Sequence, residues 1–398
     1  MSSVPLVSVD AAALRNNLAV VRRFAPAARV IAAVKANAYG HGLVHAARAL
    51  ADADAFGVAR IEEALALRSA GLTQPIVVLE GVFFASQLDV AAANDLQLVV
   101  HSFEQVAMLE QRTATHRFAI WLKVDTGMNR LGFRLEEFGA AHDRLRGCAA
   151  IGTLRLLTHL ACAETIGGAE TKLQLERFRT LSEPLRLERS IANSAGIIAW
   201  PDAHAEWVRP GLMLYGASPF EERSAADLGL LPAMTFTTQL IAVRNVAAGE
   251  AIGYNGIWRA PRRSRIAVAA VGYGDGYPRC MRAGAPALIN GREAPIVGRV
   301  SMDMTMLDAT DLPDAAVGDE VTLWGKGLPA ERVAPFADTI SYELFCRIAE
   351  RVKRREMSGR SLTLQPSKNP IFTPASRITS LSCNLRACSP IPLPFTCG

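Results

Sequence analysis

Three things are scarce in this sequence, and each scarcity removes a class of function. No apolar stretch runs unbroken for the length of a membrane span, and the N-terminus, Met-Ser-Ser-Val-Pro-Leu, has neither the charged n-region nor the apolar h-region of an export signal. The expectation is a cytoplasmic protein without a membrane partner. The seven cysteines lack pattern: Cys148, Cys162, Cys280 and Cys346 stand far apart, while Cys383, Cys388 and Cys397 crowd the C-terminal stretch. Neither a disulfide framework nor a metal site is expected from them. Excess charge is the third. The formal net charge of +5 rests mostly on Arg360, Lys368, Arg377 and Arg386, in a segment with no acid, and the remainder carries only +1. No nucleic-acid surface is expected.

What the chain does have is length, apolar content and regular alternation. With 398 residues, 50% of them hydrophobic, it can bury a large core in two domains. From residue 6 to about 216, short apolar runs alternate with helical periods. The runs are Leu6–Val9, Val30–Val34, Ala55–Ala59, Ile76–Leu79, Leu98–Val100, Phe118–Val124, Leu154–His159, Ser190–Ala192 and Trp207–Val208. The helical periods include Ala11–Phe24, Ile61–Ala70, Phe103–Gln111 and Leu173–Leu181. Such alternation implies parallel strands with right-handed crossovers, and eight units close a (β/α)8 TIM-type barrel. Nine runs are one too many, so the first is expected outside the barrel.

From about Leu231 the pattern changes to β runs punctuated by Gly and Pro, at Thr235–Val243, Arg265–Val271, Ala287–Ile289, Pro295–Val297, Met304–Leu307 and Val321–Leu323. A helical period follows at Ile340–Arg351. The expected organisation is a barrel domain over 1–230, a mostly antiparallel β domain over 231–357 and a flexible Ser/Pro-rich tail over 358–398.

The chemistry centres on Ala33–Gly42, Ala-Val-Lys-Ala-Asn-Ala-Tyr-Gly-His-Gly, where Lys35 sits at the end of a buried strand. At the C-terminal mouth of a barrel such a lysine is partly desolvated, which lowers its pKa and suits it to Schiff-base or general-base chemistry. Two later loops, Asn193-Ser194-Ala195-Gly196 and Arg209-Pro210-Gly211-Leu212, follow the last two barrel strands, where barrels commonly hold a phosphate through amides and a hydroxyl.

The decapeptide resembles the pyridoxal phosphate attachment motif of the alanine racemase family, and the resemblance runs from about residue 5 to Val352. It implies pyridoxal 5'-phosphate on Lys35, with Tyr39, Ser194, Gly211, Leu212 and Tyr342 as further cofactor ligands. Arg209 would face the pyridine nitrogen, to which a guanidinium can only donate. Lys123-Val124-Asp125-Thr126-Gly127-Met128-Asn129-Arg130 resembles the segment whose arginine, here Arg130, meets the substrate carboxylate. Lys123 matches a lysine that can be carbamylated, the rival being a salt bridge with Asp125 or another acid. His159 would relay hydrogen bonds between Arg209 and a catalytic tyrosine. In the β domain, Ile252-Gly253-Tyr254-Asn255-Gly256 resembles the loop of the second catalytic base, Tyr254. Tyr273 would line the substrate entrance, and Met302 would offer its amide to the substrate.

The implied function is a two-base racemase interconverting L- and D-alanine, serving peptidoglycan synthesis or alanine catabolism, from a homodimer whose sites are shared between chains. A racemase of broader specificity, a decarboxylase on the same scaffold, and a non-catalytic pyridoxal phosphate carrier are the alternatives. After Val352 the family's short closing strand is expected to be missing.

Overall fold

The computed structural model describes residues 4–112 and 116–357. The expected flexible tail over 358–398 lies outside the described residues. Eight parallel strands close a barrel: β2 (Arg29–Ala33), β3 (Ala55–Val58), β4 (Ile76–Val78), β5 (Leu96–Val100), β6 (Phe118–Lys123), β7 (Ile151–Leu157), β8 (Arg189–Ser190) and β9 (Trp207–Val208). The ring closes where Arg29 and Val30 of β2 pair with Trp207 and Val208 of β9. The first strand, β1 (Leu6–Asp10), lies outside the ring, as expected.

Inside the barrel, Ile31, Ala55, Val77, Val99, Trp121, Leu157 and Trp207 form one apolar layer. Near the strand starts Glu188 accepts from Arg155 Nε (2.6 Å), Trp207 Nε1 (3.0 Å) and Arg29. Lys35 emerges at the opposite, C-terminal mouth. Strands buried on both faces need no polar alternation, which is why Ile76–Val78 reads as a solid apolar run. The helix Ala11–Phe24 starts at Asp10, whose side chain accepts from Ala12 N and Ala13 N; such a cap is worth about 1 kcal/mol.

The remaining strands are β10 (Met234–Val246), β11 (Ala251–Ile252), β12 (Trp258–Arg259), β13 (Ser264–Ala269), β14 (Pro286–Ile289), β15 (Arg292–Val297), β16 (Thr305–Asp308), β17 (Glu320–Trp324) and β18 (Lys353–Met357). Apart from the β11–β12 hairpin they join β1 in one sheet ordered β13-β16-β15-β14-β17-β10-β1-β18, with β13 also pairing with β10. Every pairing is antiparallel except β1 with β18. The first half of β10 alternates buried and half-buried residues with the period of a strand that has one face on a core.

Two expectations need correction. The closing strand is present: β18 pairs in parallel with β1 from Leu6↔Lys353 to Asp10↔Met357. It is an edge strand whose residues are mostly exposed, so no apolar pattern marks it in Lys-Arg-Arg-Glu-Met. The helical period over Ile340–Arg351 yields a helix only from Ser341 to Cys346. Beyond it the chain is drawn away, because Ala349 N donates to Asp275 O and the Arg351 guanidinium bonds Asp275 and Asp303.

Candidate active site

Lys35 follows β2 directly and opens a turn with an unusual backbone. Ala36 (φ 54°), Asn37 (φ 54°), Ala38 (φ 53°) and Tyr39 (φ 52°) are all left-handed, and none is glycine. L-residues pay about 1 kcal/mol or more each for this, so the surroundings must impose it. The turn ends at Gly40, where a Cβ would lie 2.0 Å from the Phe345 carbonyl oxygen. Burial first, and then Arg130, lowers the Lys35 pKa, while Glu80 and Glu63 oppose the shift. A larger share of its amine is therefore unprotonated near neutrality than in a solvated lysine.

Around Lys35 the mouth gathers positive groups from several strand ends. Lys123, the last residue of β6, is buried and pushed down to about 8 by burial, with Arg130 and Arg209 adding to the effect. Asp125 is not its ion-pair partner: that carboxylate accepts from the amides of Gly127 (2.9 Å) and Asn129 (3.1 Å) and shapes its own loop. His159, just beyond β7, is held well below its ordinary pKa by burial and by Arg209, Lys123, Arg130 and Lys35. It is therefore neutral. Since Arg209 Nη2 approaches His159 Nδ1 at 3.4 Å and can only donate, the imidazole proton belongs on Nε2.

Arg209 is buried, and burial pushes its pKa down to about 10, which leaves it charged at neutral pH. Nη1 donates to Ser190 Oγ (2.6 Å), and Nη2 donates to Thr158 O (2.6 Å) and Ile191 O (3.1 Å). No carboxylate is among these partners, so the charge of the guanidinium is not neutralised by them. Ser190 and Thr158, which fix it, were not foreseen from the sequence. Their only local signal is their place on or beside a strand whose neighbours point into the barrel.

A second cluster lies across the mouth. Ser194 Oγ accepts from Gly211 N (3.0 Å) and Met213 N (3.3 Å), which ties together the two loops with phosphate-binding composition. Tyr39 stands against them: a Cβ on Gly211 would fall 2.4 Å from the Tyr39 hydroxyl oxygen. Its ring stacks on Tyr215 at 4.6 Å and tilts against Tyr342 at 5.8 Å. Burial raises the pKa of Tyr39, and raises that of Tyr342 to about 12, so both phenols are protonated donors. A small cradle of hydroxyls and amides beside a mouth rich in cations and one amine of lowered pKa fits a phosphorylated aldehyde such as pyridoxal phosphate.

The other three candidates gather elsewhere. Tyr254 sits in the β11–β12 hairpin and is 66% exposed, and Met302 is 54% exposed. Tyr273 N donates to Ser301 O and Gly274 N to Met302 O, which zips the Tyr273 and Met302 loops together. A Cβ on Gly298 would lie 2.9 Å from Ile252 O, so the hairpin packs against the strand end leading to Met302. No hydrogen bond, ion pair or ring contact joins Tyr254 to Lys35 among the described residues. One chain thus presents a mouth of cations and hydroxyls and a separate exposed trio.

Comparison with known proteins covers both domains. Residues 9–219 match the family model described as alanine racemase, N-terminal domain, and residues 233–356 match alanine racemase, C-terminal domain. That match runs past Val352 into β18. The alanine racemase of Aeromonas hydrophila is 52% identical over 348 residues, covering 87% of this chain and 98% of that one. That of Vibrio atlanticus is 49% identical, covering 87% and 97%. The solved biosynthetic alanine racemase of Pseudomonas aeruginosa superposes with a TM-score of 0.87 at 45% identity, over 89% of this chain and 99% of that one. Two adjoining family domains, relatives near half identity and a shared architecture agree: this chain belongs to the alanine racemase family.

Proposed function

We propose that this protein is an isomerase that interconverts L-alanine and D-alanine with pyridoxal 5'-phosphate held on Lys35. The observation that carries the reading is Arg209, a buried guanidinium at the mouth whose partners are carbonyls, a hydroxyl and a neutral imidazole. When bound, the cofactor supplies an aldehyde that condenses with the substrate amine and a ring that accepts the electrons left when the α-proton departs. Arg209 limits that second role. With the cofactor bound, Arg209 would face the ring nitrogen as a donor that does not give up its proton, which would keep the electron sink weak and favour return of a proton over side reactions. A carboxylate there would do the opposite and suit a decarboxylase.

Inverting a centre requires removal of a proton on one face and delivery on the other. Lys35 Nζ serves the face used by D-alanine. Tyr254 Oη serves the L-alanine face, helped by the neutral His159, whose Nε2 proton is free to bond outward. Arg130 pairs with the substrate carboxylate, the Met302 amide adds a donor, and Tyr273 lines the entrance. Ser194, Gly211, Leu212 and Tyr342 would hold the phosphate, with Tyr39 a further cofactor ligand. Lys123, an amine of lowered pKa among cations, is suited to accept carbon dioxide as an anionic carbamate that neutralises Arg130.

Because Tyr254, Tyr273 and Met302 are exposed on one chain, each site is completed by the second chain of a homodimer. Two relatives carry the word biosynthetic in their names, which favours a cytoplasmic supply of D-alanine for peptidoglycan over catabolism. Incubation with L-alanine, L-serine or L-lysine in deuterated water tests the whole reading. α-Proton exchange with loss of optical rotation is expected for alanine. Release of carbon dioxide identifies a decarboxylase, and absence of exchange a carrier.

A further inference from the structure

The turn that carries Lys35 is left-handed over four residues with no glycine to ease it, so groups outside it must hold it. Its first half is tied to the barrel and to itself: Ala36 N donates to Glu63 Oε1 (2.6 Å), and Leu43 N to Asn37 Oδ1 (2.8 Å). Its second half is tied differently. His41 is buried, and burial pushes it down to about 4, so its ring is neutral. Nδ1 faces the carbonyls of Tyr39 (2.8 Å) and Ala38 (3.1 Å) and so carries the single ring proton, while the ring lies tilted against that of Tyr215 with centroids 4.5 Å apart. The next carbonyl, that of Gly40, accepts from Arg354 Nε at 2.8 Å.

Arg354 lies in β18, opposite Val7 of β1, far from the barrel in sequence. Its Nη2 donates to Ile348 O at 3.3 Å, and it forms no ion pair among the described residues. A half-buried guanidinium is thus devoted to two main-chain carbonyls, one of which ends the lysine turn. The close approach of Gly40 to the Phe345 carbonyl brings the same stretch of the β domain against the same point.

We propose that Arg354 is a positioning residue: by holding the Gly40 carbonyl it fixes the left-handed turn that aims Lys35 into the mouth and Tyr39 at the Gly211 loop. The last strand of the sheet thereby becomes part of the cofactor seat. This rests on the reading of Lys35 as the cofactor lysine. Arg354 itself touches no reacting group, so its removal acts through the order of residues 36–42.

The test compares the full-length protein with Arg354→Met and Arg354→Lys. Apoprotein is titrated with pyridoxal phosphate, and hydrogen exchange of the 36–42 amides is followed without cofactor. Loss of one hydrogen bond to a charged group should raise the cofactor Kd about tenfold and speed exchange in that segment by a similar factor, with little change elsewhere. Arg354→Lys, which keeps one cationic donor, should restore affinity to within about threefold. A lower Tm with unchanged Kd and unchanged 36–42 exchange would show general stabilisation only and overturn the proposal. If Arg354→Met does not fold, Arg354→Gln, with a neutral donor, carries the same comparison. Borohydride reduction of the loaded wild-type protein separates the two readings. A label found away from Lys35 sinks the cofactor assignment, whereas a label on Lys35 with a normal Arg354→Met titration sinks only the role given to Arg354.

Discussion

Adding one methyl group at Gly211 tests how tightly the cradle of hydroxyls and amides is built. The Cβ of an alanine there would lie 2.4 Å from the Tyr39 hydroxyl oxygen and 3.1 Å from Cζ, against an ordinary contact of 3.4 Å or more. The hydroxyl must therefore retreat by about 1 Å, and the ring has nowhere to go, since Tyr215 stacks on it at 4.6 Å and Tyr342 leans on it at 5.8 Å. Overpacking of this kind costs about 1–3 kcal/mol, a fall in Tm of a few degrees for a chain of this size. Tyr39→Phe alone should cost the cofactor-free protein less, because the hydroxyl has no protein hydrogen-bond partner among the described residues. The double variant removes the atom in conflict, so it should regain about half or more of what Gly211→Ala loses. Chemical unfolding of the four cofactor-free proteins measures the cycle, and pyridoxal phosphate titration follows the cradle itself. Both single variants should bind more weakly. Additive stability losses, or a Gly211→Ala protein as stable as its parent, would refute the close approach of Tyr39.

Lys123 yields a prediction with a definite sign. Its folded pKa of about 8 lies below the ordinary 10.5, so the unfolded chain binds more protons between those values and stability should rise with pH across that window, by about 3 kcal/mol at the limit. In buffer free of carbon dioxide, cofactor-free parent protein should gain Tm relative to Lys123→Met from pH 7.5 to 10, and bicarbonate should flatten the trend if a carbamate forms; parallel curves would show that Lys123 is not desolvated. The shared-site dimer predicts that inactive Lys35→Ala and Tyr254→Phe proteins recover activity on subunit exchange, because each mixed dimer has one intact site; inactivity after demonstrated exchange would place each site within one chain.

Much of the architecture is legible in the sequence because parallel strands buried on both faces and amphipathic helices leave opposite signatures. The helix Ala11–Phe24 and all nine N-terminal strands stand where the pattern puts them, within a few residues. Legibility fails where the backbone is set by distant contacts. Ala-Asn-Ala-Tyr contains no residue that demands positive φ, yet Glu63, His41 and Arg354 bond the amides and carbonyls of the turn they form. Strand β18 fails for the opposite reason: its ladder needs only main-chain groups, so Lys-Arg-Arg-Glu-Met can pair with β1 without any side-chain pattern.

The residues of the candidate site divide along the same line. Lys35 is legible from its place at the end of a buried strand, and Arg209 and Tyr254 are legible only through the family resemblance of their loops. Ser190, Thr158, His41 and Arg354 are not, because a carbonyl can be bonded by many donors and a guanidinium by many acceptors. Their identity follows from geometry that exists only after folding. Tyr254 marks the limit of that logic. Its loop is legible through the resemblance, but the place opposite Lys35 that the proposed function requires depends on a surface that a single chain leaves exposed, where Ile257 of the same loop is also uncovered. Exposed apolar side chains in that loop suit it to a partner surface, and under the proposed shared site that surface is the barrel mouth of a second chain.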